Sequence, residues 1–108
     1  MDNNTLRGHL DLILLASLEQ TPLYGVQLIQ HVHAQTSGHF QFKEGTLYPA
    51  LHRLEKQGLL TADLQPSPTG GPPRKYYHLT PAGQTDLARR QQDWRAFSTA
   101  MQPFGGQA

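Results

Sequence analysis

The segment PSPTGGPPR, residues 66–74, constrains the fold more than any other part of the sequence. Its prolines and glycines favour turns, and they cannot build a regular helix or strand. The residues before it, 59–65, alternate in a β-compatible way, and those after it, 75–79, are rich in aromatic side chains. Two short strands around such a segment predict a hairpin with a long, exposed tip, because the connection is far longer than a two-residue turn.

Two helices are predicted at the start of the chain. Leucine and isoleucine recur at spacings of three and four over residues 6–18, which is typical of a helix packed on a core. This helix should end near Thr21, because the residue before a proline is disfavoured in helical geometry. A second helix is predicted from about Tyr24 to a glycine cap at Gly38. Its expected buried residues are Val26, Leu28, Ile29 and Val32.

The third predicted helix contains Pro49, which would cost about 3 kcal/mol in a helix interior. If the helix begins at Gly45 or Thr46, the proline falls within or just past the first turn, where amides have little or no intrahelical partner. The proline therefore marks a helix start, and Gly58 is a suitable cap at the other end. The buried face is then Leu47, Ala50, Leu51 and Leu54.

The last helix is predicted to begin at Thr80, a suitable N-cap that is followed by proline. Its apolar residues form a narrow stripe at coiled-coil spacing on a polar helix, which is typical of packing on another chain. With the N-terminal helix beside it, the predicted dimer interface is Leu10, Leu14, Leu87, Trp94, Phe97 and Met101.

These elements predict a fold that is mainly α with a small β-hairpin. Residues 1–79 form a winged helix-turn-helix domain, residues 80–103 a C-terminal dimerisation helix, and residues 104–108 a frayed tail. All three core helices precede the hairpin, which is the order of a winged helix-turn-helix.

The composition argues against several classes of function. The chain has no cysteine, which excludes disulfides and thiolate metal sites. It has no long apolar run and no leader, so we expect a cytoplasmic protein with no membrane contact. Six histidines lack chelating spacing, and no catalytic motif occurs, so we expect no metal, no cofactor and no enzyme activity. The net charge of only +1 means that an anion-binding surface must be local.

Such a surface is predicted on the third helix and the hairpin. The helix turns hydroxyl, imidazole and guanidinium donors outward, and its N-terminus suits phosphate. Two adjacent cations at the base of the hairpin suit a backbone or minor-groove contact. A protein–protein module without an operator and a metal-sensing regulator are alternative interpretations. The predicted DNA-binding residues are Lys43, Thr46, Tyr48, His52, Arg53, Arg74 and Lys75.

Residues 6–30, 44–60 and 70–87 resemble the PadR family of bacterial transcriptional regulators. The most specific parts are Tyr24-Gly25, the run GTLYP at residues 45–49, and the run RKYY at residues 74–77, followed by Thr80 and Gly83. The short C-terminal part resembles the small PadR subfamily, which has a single helix there. GGPPR departs from the commoner pattern, which has one glycine and one proline before the arginine.

The resemblance implies a homodimeric winged-helix repressor that binds palindromic operators in double-stranded DNA. Residues 46–57 would be the recognition helix, with Thr46, Tyr48 and Arg53 toward the major groove or its phosphates. Arg74 and Lys75 would be wing contacts, and Tyr24 would lie near the DNA backbone. Some small members bind planar aromatic compounds in a dimer-interface cleft beside a tryptophan. Trp94 has a comparable place, so it is either part of a site for a small aromatic effector or a plain interface anchor.

Overall fold

The computed structural model describes residues 3–105, with side chains from His9 onward. The first helix, α1 (Asn3–Ser17), buries Leu10 and Leu14 against the other helices. It ends four residues before the expected Thr21, and the Ser17 hydroxyl donates to the Ile13 carbonyl at 2.7 Å in its last turn. The early end leaves the chain room to turn and enter the sheet.

A two-residue strand, β1 (Leu23–Tyr24), follows and was not predicted. The next helix, α2 (Gly25–Gln35), starts directly after it, and the Gln27 side chain accepts a hydrogen bond from the Tyr24 amide at 3.3 Å. Leu28 and Val32 are buried as expected, but Val26 is exposed. Val26 is two residues from Leu28, so the helical period places it on nearly the opposite side.

The helix α3 (Glu44–Lys56) buries the four residues predicted for its inner face. Gly58 has a φ of +79°, and the Leu59 amide donates to the Leu54 carbonyl at 3.0 Å, which forms a Schellman motif. The helix starts earlier than predicted, so Pro49 lies in its second turn and leaves the Gly45 carbonyl without its usual donor. Gly45 is exposed, so water can satisfy this carbonyl at little cost.

The hairpin consists of β2 (Leu60–Gln65) and β3 (Arg74–Leu79), which pair antiparallel from Leu60 opposite Leu79 to Gln65 opposite Arg74. The strand β1 pairs with the other edge of β3, so the sheet has the order β1-β3-β2. This arrangement confirms the prediction of a mainly helical fold with a small wing.

The last helix, α4 (Pro81–Gly105), is fixed to the turn after α3. The Thr80 hydroxyl donates to the Gly58 carbonyl at 2.7 Å and accepts from the Gly83 amide at 2.9 Å. The helix continues four residues beyond Met101, so residues 104 and 105 of the predicted tail are helical. The rest of that tail, residues 106–108, lies outside the described residues. Every residue from 92 to 105 is exposed, so this half of α4 projects from the core.

Within residues 3–105, no helix combines the length and apolar character needed to cross a membrane. The same residues contain no group of three or more histidine and carboxylate side chains arranged to hold a metal ion.

Candidate nucleic-acid interface

One cleft brings together five of the eight predicted DNA-binding residues. It runs between the outer side of α3 and the wing, with the junction of β1 and α2 forming its end. Three separate parts of the chain therefore meet at this surface. The five residues are Tyr24, Tyr48, His52, Arg74 and Lys75.

The Tyr48 side chain depends on the absence of a side chain at Gly25. A Cβ atom at Gly25 would lie 2.2 Å from the Tyr48 hydroxyl oxygen, far inside van der Waals contact. Burial raises the pKa of Tyr48, and the nearby Glu44 and Tyr77 raise it further. The Tyr48 hydroxyl therefore stays protonated and can donate a hydrogen bond throughout the physiological pH range.

Aromatic rings fix the direction of Arg74. Its guanidinium carbon lies 4.6 Å from the centre of the Tyr24 ring, which is within the range of a cation–π contact. The Tyr24 ring in turn meets the Tyr76 ring edge to face, with centroids 5.3 Å apart. Since Tyr24 and Tyr76 are paired between β1 and β3, the unpredicted strand is what holds this stack together.

Lys75 ties the wing to α3 through Glu55. The Lys75 Nζ atom lies 3.5 Å from Glu55 Oε1 and 5.3 Å from the centre of the Tyr77 ring. Burial lowers the pKa of Lys75, but Tyr77 and Glu55 raise it by more, so the net shift is upward. The ammonium group stays charged, and the Glu55 contact was not apparent from the sequence.

The other three predicted residues do not line this cleft. Lys43 is exposed just before α3, and Thr46 lies with Arg53 along a groove beside Leu10 of α1. Nη2 of Arg53 donates to Oδ1 of Asp11, a residue of α1. Arg53, which was predicted to lie toward the major groove or its phosphates, is therefore paired within the chain, although its side chain stays about half exposed.

The predicted dimer interface is only partly exposed on the single chain. Leu10, Leu14 and Leu87 are at most 6% exposed within their own chain, so they offer little surface to a partner. Leu87 packs in the same core cluster as the α1 leucines, although the sequence offered it no obvious partner. The remaining predicted residues are exposed on α4, together with Phe104, at helical spacings of three and four. This exposed stripe is Trp94, Phe97, Met101 and Phe104.

Trp94 borders a small cleft at the base of the exposed stripe. The His9 ring meets the indole edge to face at 5.0 Å, and Phe97 lies 6.1 Å away on the next turn. Arg89 and Arg90 also line this cleft, whose volume is about 290 Å³. That volume is near the lower end of the range for small-molecule pockets.

The winged-helix fold agrees with the comparisons to known proteins. The PadR-like family of transcriptional regulators matches residues 14–89. This chain belongs to the PadR family. Members of the family regulate transcription, so the chain is a DNA-binding transcriptional regulator and not an enzyme. The family resemblance seen in the sequence is thereby confirmed.

Individual transcriptional regulators are similar to much or nearly all of this chain. A transcriptional regulator from Clostridium thermocellum matches with a TM-score of 0.87 and 27% identity, covering 98% of this chain and 99% of that one. A PadR-like regulator from Bacillus cereus matches with a TM-score of 0.82 and 31% identity, covering 97% and 100%. The transcriptional regulator Rv3488 from Mycobacterium tuberculosis is 40% identical over 70 residues, which is 64% of this chain and 61% of that protein.

Three residues of these sites were missed by sequence reasoning. Gly25 belonged to a recognised motif, but only the structure shows that its missing side chain makes room for a tyrosine. Asp11 and Glu55 pair with predicted DNA-binding cations from other elements. Nothing in the sequence marks these two carboxylates, because the pairs span 42 and 20 positions.

Proposed function

We propose that this PadR-family protein is a homodimeric repressor that binds a pseudo-palindromic operator. In this proposal α3 enters the major groove and the wing follows the phosphate backbone. The observation that carries it is one cleft in which α3 and the wing present two cations, an imidazole and the Tyr48 hydroxyl, with Tyr24 of β1 at its end. Arginine, lysine and tyrosine side chains commonly contact phosphates, and arginine and lysine also read base edges.

The five predicted residues in the cleft have three proposed roles. The charged groups of Arg74 and Lys75 bind phosphates. Because the Arg74 guanidinium is already stacked on Tyr24, its side chain loses less conformational entropy on binding. The Tyr48 and His52 side chains lie on α3 itself, so they are the ones to reach toward the major groove or the phosphates that border it. Tyr24 supports Arg74 from the end of the cleft.

The exposed stripe of α4 supports the dimer part of the proposal. Four large apolar residues on one side of a projecting helix favour contact with a second copy of the chain. At coiled-coil spacing, the apolar stripe of one helix can pack against the same stripe of the other. The two recognition helices would then lie about 34 Å apart, one turn of the duplex. We also propose that a planar aromatic effector binds at the Trp94 cleft and shifts this spacing, which requires unequal affinity for the two dimer forms.

Salt dependence of DNA binding tests the proposal. Replacing both Arg74 and Lys75 by alanine should weaken binding to all duplexes alike and flatten the plot of log affinity against log salt by up to about two units. The matched control replaces Arg89 and Arg95, two cations on α4, by alanine and should leave the slope unchanged. A wing variant with the affinity and slope of the wild type would show that the wing does not contact DNA.

A further inference from the structure

One carboxylate of α1 connects the recognition helix with α4. Oδ1 of Asp11 accepts a hydrogen bond from Arg53 of α3, and Oδ2 lies 3.7 Å from Nη2 of Arg90 on α4. Arg90 is held in turn by Asp86, whose Oδ2 accepts from its Nε at 2.5 Å. The side chain of Asp11 is only 21% exposed, whereas that of Arg53 is 49% exposed. The ion pair therefore joins a largely shielded carboxylate on α1 to a half-exposed guanidinium on α3.

An arginine at this position could contact DNA in two ways. A free guanidinium can swing to any phosphate, which adds affinity without sequence preference. A restrained guanidinium can present a fixed pair of N–H groups to a base edge, and guanine accepts two such bonds at O6 and N7. Only one nitrogen of Arg53 is bonded to Asp11, so the other N–H groups of the fork remain available.

We propose that Asp11 is a positioning residue for DNA recognition, which withholds Arg53 from phosphates and holds it for one base edge. The proposal rests on the proposed function, since it takes α3 to be the recognition helix. Asp11 also contacts Arg90, and Arg90 lines the Trp94 cleft. The same carboxylate therefore connects Arg53 on α3 with the Trp94 cleft.

Replacing Asp11 by asparagine tests this idea because it removes the charge and nearly keeps the shape. Released from Asp11, Arg53 should contact phosphate. Affinity for a random-sequence duplex should rise, and the salt slope should steepen by about 0.9 for each phosphate gained. The ratio of affinities for a duplex selected by the wild type and for the random duplex should fall about tenfold, the value of one good base contact.

Three variants make the assignment specific. In an Arg53→Ala background the effect of Asp11→Asn on the slope should vanish. The conservative Asp11→Glu change should restore a slope near that of the wild type. Glu19→Gln removes the same charge from an exposed residue beyond the end of α1 and serves as the control, which should match the wild type.

Arg53→Ala alone provides a test that does not depend on Asp11→Asn folding. It should reduce the affinity ratio but leave random-duplex affinity and slope unchanged, because Arg53 is withheld from phosphates in the wild type. A wild-type slope in Asp11→Asn, with only a lower melting temperature, would overturn the proposal and leave Asp11 a structural residue. A steeper slope that persists without Arg53 would also overturn it. If the wild type itself shows no salt-dependent DNA binding, the proposed function fails instead.

Discussion

The substitution Gly25→Ala should separate DNA binding from folding in this protein. The new methyl group would lie 2.2 Å from the Tyr48 hydroxyl oxygen and 2.7 Å from Cζ, so one of the two must move by about 1 Å or more to reach ordinary contact. The far end of the Tyr48 ring is the part that moves, since this side chain is 41% exposed and can rotate away. The backbone around Gly25 can therefore stay in place.

The expected change in stability is small for this reason. Alanine restricts the unfolded chain and so favours folding by about 0.4–1 kcal/mol, which offsets part of the packing lost around Tyr48. DNA affinity should fall by more, because a hydrogen bond to a charged phosphate is worth about 1.5–3 kcal/mol and Tyr48 would no longer be in position to make it. Fluorescence anisotropy with a labelled duplex measures the affinity, and thermal melting followed by circular dichroism measures the stability.

Gly83→Ala is the matched comparison, because the overlap is similar but the neighbour is backbone. Its Cβ would lie 2.1 Å from the carbonyl oxygen of Leu59, which cannot rotate away. The start of α4 must shift, at about 1–3 kcal/mol, and the melting temperature should fall by about 4–8 °C for each kcal/mol. If Gly83→Ala melts like the wild type, or if Gly25→Ala melts much lower while binding DNA normally, the steric reasoning is wrong.

Three further substitutions test other parts of the molecule. Thr80→Ala removes the cap of α4 and should lower the free energy of unfolding by about 1 kcal/mol in a denaturant titration, without changing DNA affinity per folded molecule. Phe97→Glu should be monomeric by size exclusion with light scattering, whereas Gln92→Glu on the same helix should stay dimeric. A Phe97→Glu dimer of normal stability would show that the dimer interface does not include Phe97. Planar aromatic dyes and phenolic acids should quench Trp94 fluorescence to saturation, and operator DNA should reduce the quenching. The saturable quenching should be lost in Trp94→Ala while the protein stays dimeric. If none of these compounds quenches Trp94, the proposed effector site is refuted.

The helices and the hairpin could be predicted because their signals are local. Apolar spacing, a proline after a threonine cap and a dense run of turn formers each act within a few residues. The strand β1 could not be predicted in this way. It is two residues long, and it exists because Tyr24 pairs with Tyr76, far away in the chain. The exposure of Val26, by contrast, follows from the helical period, which places it nearly opposite the buried Leu28.

The same limit applies to the residues of the two functional surfaces. Sequence indicates which side of a helix is polar, but the crossing of helices decides which charges meet. Arg53 has the same outward-facing pattern as His52, yet α1 places a carboxylate beside Arg53. Leu87 belongs to the apolar stripe of α4 by spacing, but α1 covers this position and leaves only the distal half open.

These internal pairs affect how the number of cations relates to DNA affinity. Arg53 and Lys75 each have a carboxylate partner within the chain, so the negative charge of that partner offsets part of the charge that the cation offers to a phosphate. A phosphate contact by either cation should therefore release fewer counterions from DNA. Arg74 is stacked on an aromatic ring instead, and its charge is available at no such cost. If the wing binds as proposed, Arg74 should therefore contribute more to the salt slope than Lys75, although both are wing cations of equal charge.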